Sequence, residues 1–199
     1  MMANEKINPI LLDIPSELTS ARLTMRTPRA GDGAIVWPSV QHSLPELKRW
    51  MPWATDEYNE QSGEEWCRRA ASEFLTRKQL PYLIFAKDSP EHLGTIGAHP
   101  HDWEIPSCEI GYWLRSDKTG RGFVTEAVGA LVQMLRDRIK FKRIQIRADE
   151  LNARSRRVAE LAGFQLEGIL RCDCFAAGRL RNTCMFSRIY DADQELSHG

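Results

Sequence analysis

The segment 109–125, EIGYWLRSDKTGRGFVT, most constrains what this chain can fold into. It begins as a strand, passes through Gly120-Arg121-Gly122, and enters a run where Val124, Val128, Leu131 and Leu135 recur at helical spacing. A helix entered this way has first N–H groups with no partner inside it, at the positive end of its dipole. Glycines remove the Cβ atoms that would hold a phosphate away, so such a loop binds a pyrophosphate through backbone donors. The plainer reading is that Gly120 and Gly122 only permit a tight turn.

Two common nucleotide motifs fail here. A P-loop needs Gly-x-x-x-x-Gly-Lys-Ser/Thr, and that string is absent. A dinucleotide fold needs Gly-x-Gly-x-x-Gly, and Thr125 stands where the third glycine belongs. Asp149 could imitate a ribose-binding acid, which keeps a nicotinamide-dependent oxidoreductase as an outside reading. A Rossmann half would, however, start at such a unit and continue in parallel strands.

The flanking sequence describes a mixed architecture. Residues 1–19 read as an irregular arm containing Pro9 and Pro15. Residues 21–27 alternate as a strand, Pro28 opens a helix toward Val40, and 46–50 reads as a second short helix. Ser62 with Glu65 has the form of a capping box for a helix over 64–78. Strands follow at 82–86, 93–99 and 108–114, joined by short turns that imply antiparallel neighbours. After the glycine loop and its helix come a strand at 143–148, a short helix over 153–161 closed by Gly163, and strands at 164–174 and 183–189. The expected class is α+β, a mixed and mostly antiparallel sheet flanked by helices.

Charge and cysteine content narrow the function classes. Lys+Arg and Asp+Glu number 27 each, which argues against a general nucleic-acid or membrane-surface binder. No apolar run approaches the roughly 18–20 residues of a bilayer span, and the N-terminal apolar stretch is too short for a secretory signal. A cytoplasmic protein is expected. Cys67, Cys108, Cys172, Cys174 and Cys184 form no CxxC pair and read as small apolar residues of a reducing compartment. His99 and His101 could share a strand face, but no third ligand has suitable spacing, and no metal is expected.

Further motifs accompany the loop. They are Glu109-Ile110-Gly111-Tyr112-Trp113-Leu114 before it, Thr125-Glu126-Ala127 after it, Asn152-x-x-Ser155, Ala162-Gly163-Phe164, Glu167-Gly168, and upstream Leu47-x-x-Trp50-Met51-Pro52-Trp53. Over about residues 20–190 the chain resembles the GNAT superfamily of N-acetyltransferases, and within it the RimJ/RimL-like branch. That family carries a Gln/Arg-x-x-Gly-x-Gly/Ala loop. The matching string here is Asp117-Lys118-Thr119-Gly120-Arg121-Gly122, with Asp at the first position.

The resemblance implies an acyl-CoA N-acyltransferase domain over 20–191, between an arm and a tail over 192–199. It implies acetyl-CoA as donor, with the pyrophosphate on backbone groups of Thr119, Gly120, Arg121, Gly122 and Phe123, continuing to Val124 and Thr125. The pantetheine arm would pair with Tyr112, Trp113, Leu114 and Arg115 as an added strand. Lys118 and Arg121, and the run Arg154, Arg156 and Arg157, would add charge toward phosphates. Asn152 would bond pantetheine amides, its plainer role being a helix N-cap. Ser155 would sit near the thioester sulfur and protonate the leaving thiolate. A primary amine would attack the thioester directly, with Glu109 or Asp173 as base and a backbone N–H steadying the oxyanion. Nothing resembles a Cys–His nucleophile pair.

Trp50, Met51 and Trp53 would wall the amine pocket, or else serve as packing core. Glu57, Glu60, Glu64 and Glu65 would favour a cationic acceptor. Protein N-termini, such as those of ribosomal proteins, are the implied acceptors. A small amine, polyamine or aminoglycoside acceptor, a longer acyl donor, a homodimer and a non-catalytic CoA-binding sensor all stay open.

Overall fold

A computed structural model describes residues 8–103, 106–176 and 178–190. The tail expected at 192–199 and the first seven residues of the arm lie outside the described residues. Among these residues no helix is long and apolar enough to cross a membrane.

The elements in chain order are β1 (Glu17–Thr19), β2 (Leu23–Arg26), α1 (Gly33–Leu47), α2 (Glu60–Leu75), β3 (Leu80–Ala86), β4 (His92–Asp102), β5 (Ser107–Leu114), α3 (Phe123–Met134), β6 (Arg143–Asp149), α4 (Ala153–Leu161), β7 (Gln165–Ala176) and β8 (Arg179–Ile189). They form one eight-stranded sheet of order β1-β2-β3-β4-β5-β6-β8-β7. Every neighbouring pair is antiparallel except β5 and β6, which run parallel. The α+β class read from the sequence is the one observed.

Both faces of the sheet are covered. Leu131, Val128, Leu135 and Ala127 of the α3 segment, with Ala159 of α4, pack on one face against Ile110, Ile144, Ile146 and Phe186. Val36, Val40 and Leu47 of α1, with Cys67 of α2, pack on the other against Leu83 and Phe85. Strand alternation divides β5 between these layers. Ile110, Tyr112 and Leu114 face α3 and α4, while Trp113 faces α1 and α2.

Several local features differ from the sequence reading. Helix α1 is one helix running through Pro38 and Pro45, not one ending at Val40 and another at 46–50. Its buried residues Val36, Ser39, Val40, Ser43 and Leu47 form one stripe against the sheet. That burial outweighs proline cost, which is about 3 kcal/mol each in a free helix. Helix α2 starts at Glu60 because Asn59 caps it. Asn59 Oδ1 accepts from Ser62 N at 3.0 Å, and Ser62 Oγ accepts from Asn59 N at 3.5 Å, so Ser62 is the third residue of the box, not its cap. Glu64 is thereby free to accept from the N–H groups of Gly31 and Gly33. Gly33 lies so close to α2 that a Cβ there would sit 2.6 Å from Glu64 N. Strand β1 lies inside the stretch read as irregular. It has three residues and pairs with β2 from Glu17↔Arg26 to Thr19↔Thr24.

One buried ion pair ties the end of β6 to β8 and to the segment after α1. Arg181 Nε lies 2.8 Å from Asp149 Oδ2, with side chains 7% and 11% exposed. Arg181 also donates to Asp149 Oδ1 at 2.9 Å and to the Arg49 carbonyl at 3.1 Å, and its guanidinium stacks 4.7 Å from the Trp50 ring. Asp149 Oδ1 accepts from Leu151 N at 2.8 Å, which sets the turn into α4. Removing one partner of such a pair leaves the other buried and uncompensated. Asp149→Asn is therefore expected to lower the free energy of unfolding by about 3 kcal/mol, read by urea denaturation at neutral pH.

Candidate functional site

The parallel pair β5–β6 is short. Ser107↔Arg143, Cys108↔Ile144 and Glu109↔Gln145 are its only paired positions, although β5 continues to Leu114 and β6 to Asp149. Beyond Glu109 the strands part, each still held on its far side, β5 by β4 and β6 by β8. The result is a gap inside the sheet, bordered by backbone that has no ladder partner across it.

The glycine loop closes one end of this gap. Gly120 and Gly122 have φ of +76° and +77°, and Gly122 is the N-cap of α3. Left-handed backbone at two nearby positions turns successive amides outward into a nest. The N–H groups of Gly120, Arg121, Gly122, Phe123, Val124 and Thr125 take no acceptor among the described residues. Thr119 differs from the expectation, because its N–H points back to the Ser116 carbonyl at 3.4 Å and its hydroxyl donates there at 2.8 Å.

The loop is braced from below. Arg115 donates to both carboxylate oxygens of Asp117, at 3.1 and 2.9 Å. His42 lies 3.5 Å from Asp117, and Ser116 N donates to the buried Ser43 hydroxyl at 2.9 Å. Asp117, in the place of the family's Gln or Arg, is thus a brace. Lys118 pairs with Glu91 at 2.6 Å and is committed there rather than free for a phosphate. From the other side Arg22 bonds Glu126 and the Arg121 carbonyl, and lies 4.7 Å over the Phe123 ring.

Across the gap stands α4. Asn152 caps it, its Oδ1 accepting from Ser155 N at 3.1 Å, which leaves the side-chain NH2 as its remaining polar group. Tyr112, from β5, donates to the Ser155 carbonyl at 3.1 Å and shares a hydrogen bond with Ser155 Oγ at 3.1 Å. Burial pushes the Tyr112 phenol up to about 12, so it stays protonated at neutral pH.

On the opposite face lies a cleft of about 550 Å³. Its floor is Thr95, Gly97 and His99 of β4 with Gly111 and Trp113 of β5; Trp53, Tyr58 and Trp66 wall it. Trp53 contacts Trp113 and Tyr58 at ring-centre distances of 6.1 and 5.6 Å. Trp53 thus lies where the sequence reading placed it, whereas Trp50 is not part of this lining and stacks on Arg181. Of the four acidic residues singled out, only Glu57 reaches the cleft, Glu64 being spent on the start of α1.

The two carboxylates offered as bases have different settings. Glu109 is the last residue of β5 paired with β6, on the cleft face of the sheet, and the register sets it opposite His99. Asp173 is ion-paired to Arg147 at the edge strand. Hydrogen bonding to Thr183 and Arg147 holds its carboxyl below the ordinary range. Simple alternation along the strand does not give the face on which Asp173 lies. β7 in fact slips register between Leu166 and Gly168 and again between Leu170 and Cys174, with Cys172 at φ +53°.

Thr95, Tyr58, Trp66 and Arg69 are among the cleft residues that escaped the sequence reading, and His99 was weighed there only as a metal ligand. The period of two along β4 would have grouped Thr95, Gly97 and His99, but nothing local told which helices would cover that face.

The family described as acetyltransferase (GNAT) domain matches residues 22–165, and the chain belongs to that family. Among its relatives are the N-acetyltransferase p20 of Bacillus licheniformis, 35% identical over 106 residues, and the ribosomal-protein-serine acetyltransferase of Escherichia coli (strain K12), 30% identical over 111. These matches cover 53% and 56% of this chain. They span only 60% and 61% of the relatives' own lengths. Among solved structures, the ribosomal L7/L12 α-N-acetyltransferase RimL in complex with coenzyme A has a TM-score of 0.82 at 23% identity, covering 90% of this chain and 99% of that one. The microcin C7 self-immunity acetyltransferase MccE, in complex with acetyl-CoA and AMP, has a TM-score of 0.81 at 22% identity, covering 86% and 94%. The fold is theirs. The nicotinamide reading is overturned, since the sheet has one parallel pair and no Rossmann half.

Left-handed φ costs a residue with a side chain roughly 1–2 kcal/mol. A Cβ on Gly120 meets nothing within 4 Å, so strain alone acts there. Gly120→Ala and Gly122→Ala are each expected to destabilise by about 1–2 kcal/mol. Urea denaturation checks this, and unchanged midpoints would mean the loop has another conformation.

Proposed function

We propose that this protein transfers the acetyl group of acetyl-CoA directly to a primary amine. The observation that carries the proposal is the run of six unpartnered amides, Gly120 to Thr125, at the mouth of a gap bordered by unpaired β5 backbone. A diphosphate satisfies such donors, and an extended chain of amides satisfies such a strand edge. Coenzyme A carries both at the spacing of its own skeleton. Acetyl-CoA and coenzyme A in the complexes of MccE and RimL support the same donor.

The residues then take these roles. Tyr112, Trp113, Leu114 and Arg115 offer backbone to the pantetheine arm. The Asn152 amide group donates to a pantetheine carbonyl while its oxygen keeps the helix capped. Ser155 Oγ, held by Tyr112, protonates the departing thiolate. The amine enters from the aromatic cleft on the other face, past Trp53 and Trp113.

The name of the Escherichia coli relative supports a ribosomal protein as acceptor, and that of RimL, an α-N-protein acetyltransferase, supports its N-terminal amine. All five cysteines are free thiols, which fits the reducing cytoplasm. A sensor without catalysis would bind the thioester and release no thiol, so one assay separates the two.

The test pairs calorimetry of acetyl-CoA binding with release of free thiol in the presence of an N-terminal-serine peptide, spermidine or an aminoglycoside. Gly122→Val is expected to weaken acetyl-CoA binding by at least about ten-fold, by straining the nest and withdrawing its amides. Ser155→Ala is expected to lower kcat about 100-fold with little change in acetyl-CoA affinity. Wild-type protein that binds no acetyl-CoA would overturn the proposal.

A further inference from the structure

His99 is the one imidazole on the floor of the aromatic cleft. The register sets His99 opposite Glu109, and Gly97 opposite Gly111. Its ring lies over Gly111, so that a Cβ built there would stand 3.2 Å from His99 Nε2. Glycine at 111 is what lets the imidazole occupy that place. Glu109 is the residue at which β5 leaves β6, so the His99 ring stands on the cleft face beside the strand residue where the gap begins. Neither ring nitrogen has a hydrogen-bond partner among the described residues. Glu109 itself does not line the cleft; His99 does.

We propose that His99 Nε2 is the base that takes the proton from the incoming ammonium, and that Glu109 is a positioning residue behind it. This rests on the acetyl-transfer function proposed above. The ammonium gives one proton to His99, which passes it to solvent. The freed nitrogen lone pair forms the C–N bond at the thioester carbonyl. The C–S bond breaks, and its electron pair leaves on sulfur. Ser155 protonates the thiolate, and the second proton shed by the nitrogen restores the Ser155 hydroxyl, so the products are an amide, a thiol and one proton.

The electrostatic surroundings agree. Burial lowers the His99 pKa below the ordinary imidazole value, while Glu109 and, from α2, Glu73 oppose that shift and His101 adds to it. Arg69 of α2 is the cation lining the same cleft. A lowered pKa keeps the imidazole neutral at pH 7, able to accept a proton. It is lost as base only when the pH falls through that lowered value.

The experiment measures kcat, kcat/KM against pH and acetyl-CoA affinity for the full chain, with an N-terminal-serine peptide and with spermidine as acceptors. His99→Gln is expected to lower kcat by about 100-fold or more, to abolish the acidic limb of kcat/KM, and to leave acetyl-CoA affinity unchanged by calorimetry. That affinity also reports that the variant is folded. In His99→Ala, added imidazole is expected to restore part of the rate. Glu109→Gln removes a charge that favours the imidazolium, so the acidic limb should move to lower pH, and the lost positioning should lower kcat, though less than His99→Gln does. A His99→Gln protein that keeps both its acidic limb and its kcat would overturn the assignment. Wild-type protein that binds acetyl-CoA but acetylates neither amine would overturn it too. Failure to bind acetyl-CoA at all would instead overturn the underlying function.

Discussion

Parallel strands hold together only while their amides and carbonyls stay in step, and β5 and β6 stay in step for three residues. Everything that distinguishes this site follows from the parting beyond Glu109. Had the ladder continued, the edges would be satisfied and closed to any third chain. Because each strand is secured by its other neighbour, the gap costs the fold little beyond those unmade bonds. The two cores lock the arrangement from both sides, α3 and α4 on one face and α1 and α2 on the other.

The glycine loop needs outside support for a related reason. A nest of outward-turned amides has no internal bonds to keep its shape. Here the shape is borrowed from neighbours. Arg115 and Asp117 lock the entry, Ser43 holds Ser116, and Arg22 with Glu126 clamps the helix start. Glu126 sits near the positive end of α3 but faces Ser20 and Arg22, so its charge is engaged. The amide run is therefore left with positive partial charge and, among the described residues, no competing anion in contact.

Much of this was legible in the residues, for physical reasons. The strand–loop–helix unit showed itself because left-handed glycines and a 3.6-residue apolar period are local properties. The dual character of Asn152 was readable too, and the cap is present in the structure. What stayed hidden depends on contacts far apart in sequence. Helix α1 was read as two pieces, because its burial on the sheet leaves no local trace. Trp50 and Trp53 looked alike on paper, yet Arg181, over a hundred residues away, claims the first. The face of Asp173 cannot be read by counting in twos, because two register slips in β7 break the alternation. His99 carries no motif at all; its place is defined by the strand beside it and a glycine that makes room.

Gly111 has a consequence for traffic through the protein. At that position β5 is a partition one backbone thick, with the Tyr112 side on one face and the His99 side on the other. Reactants delivered to such a window approach from opposite directions and meet only through the strand's own thickness. For the acetyl transfer proposed above, donor and acceptor would therefore reach the same strand from opposite faces.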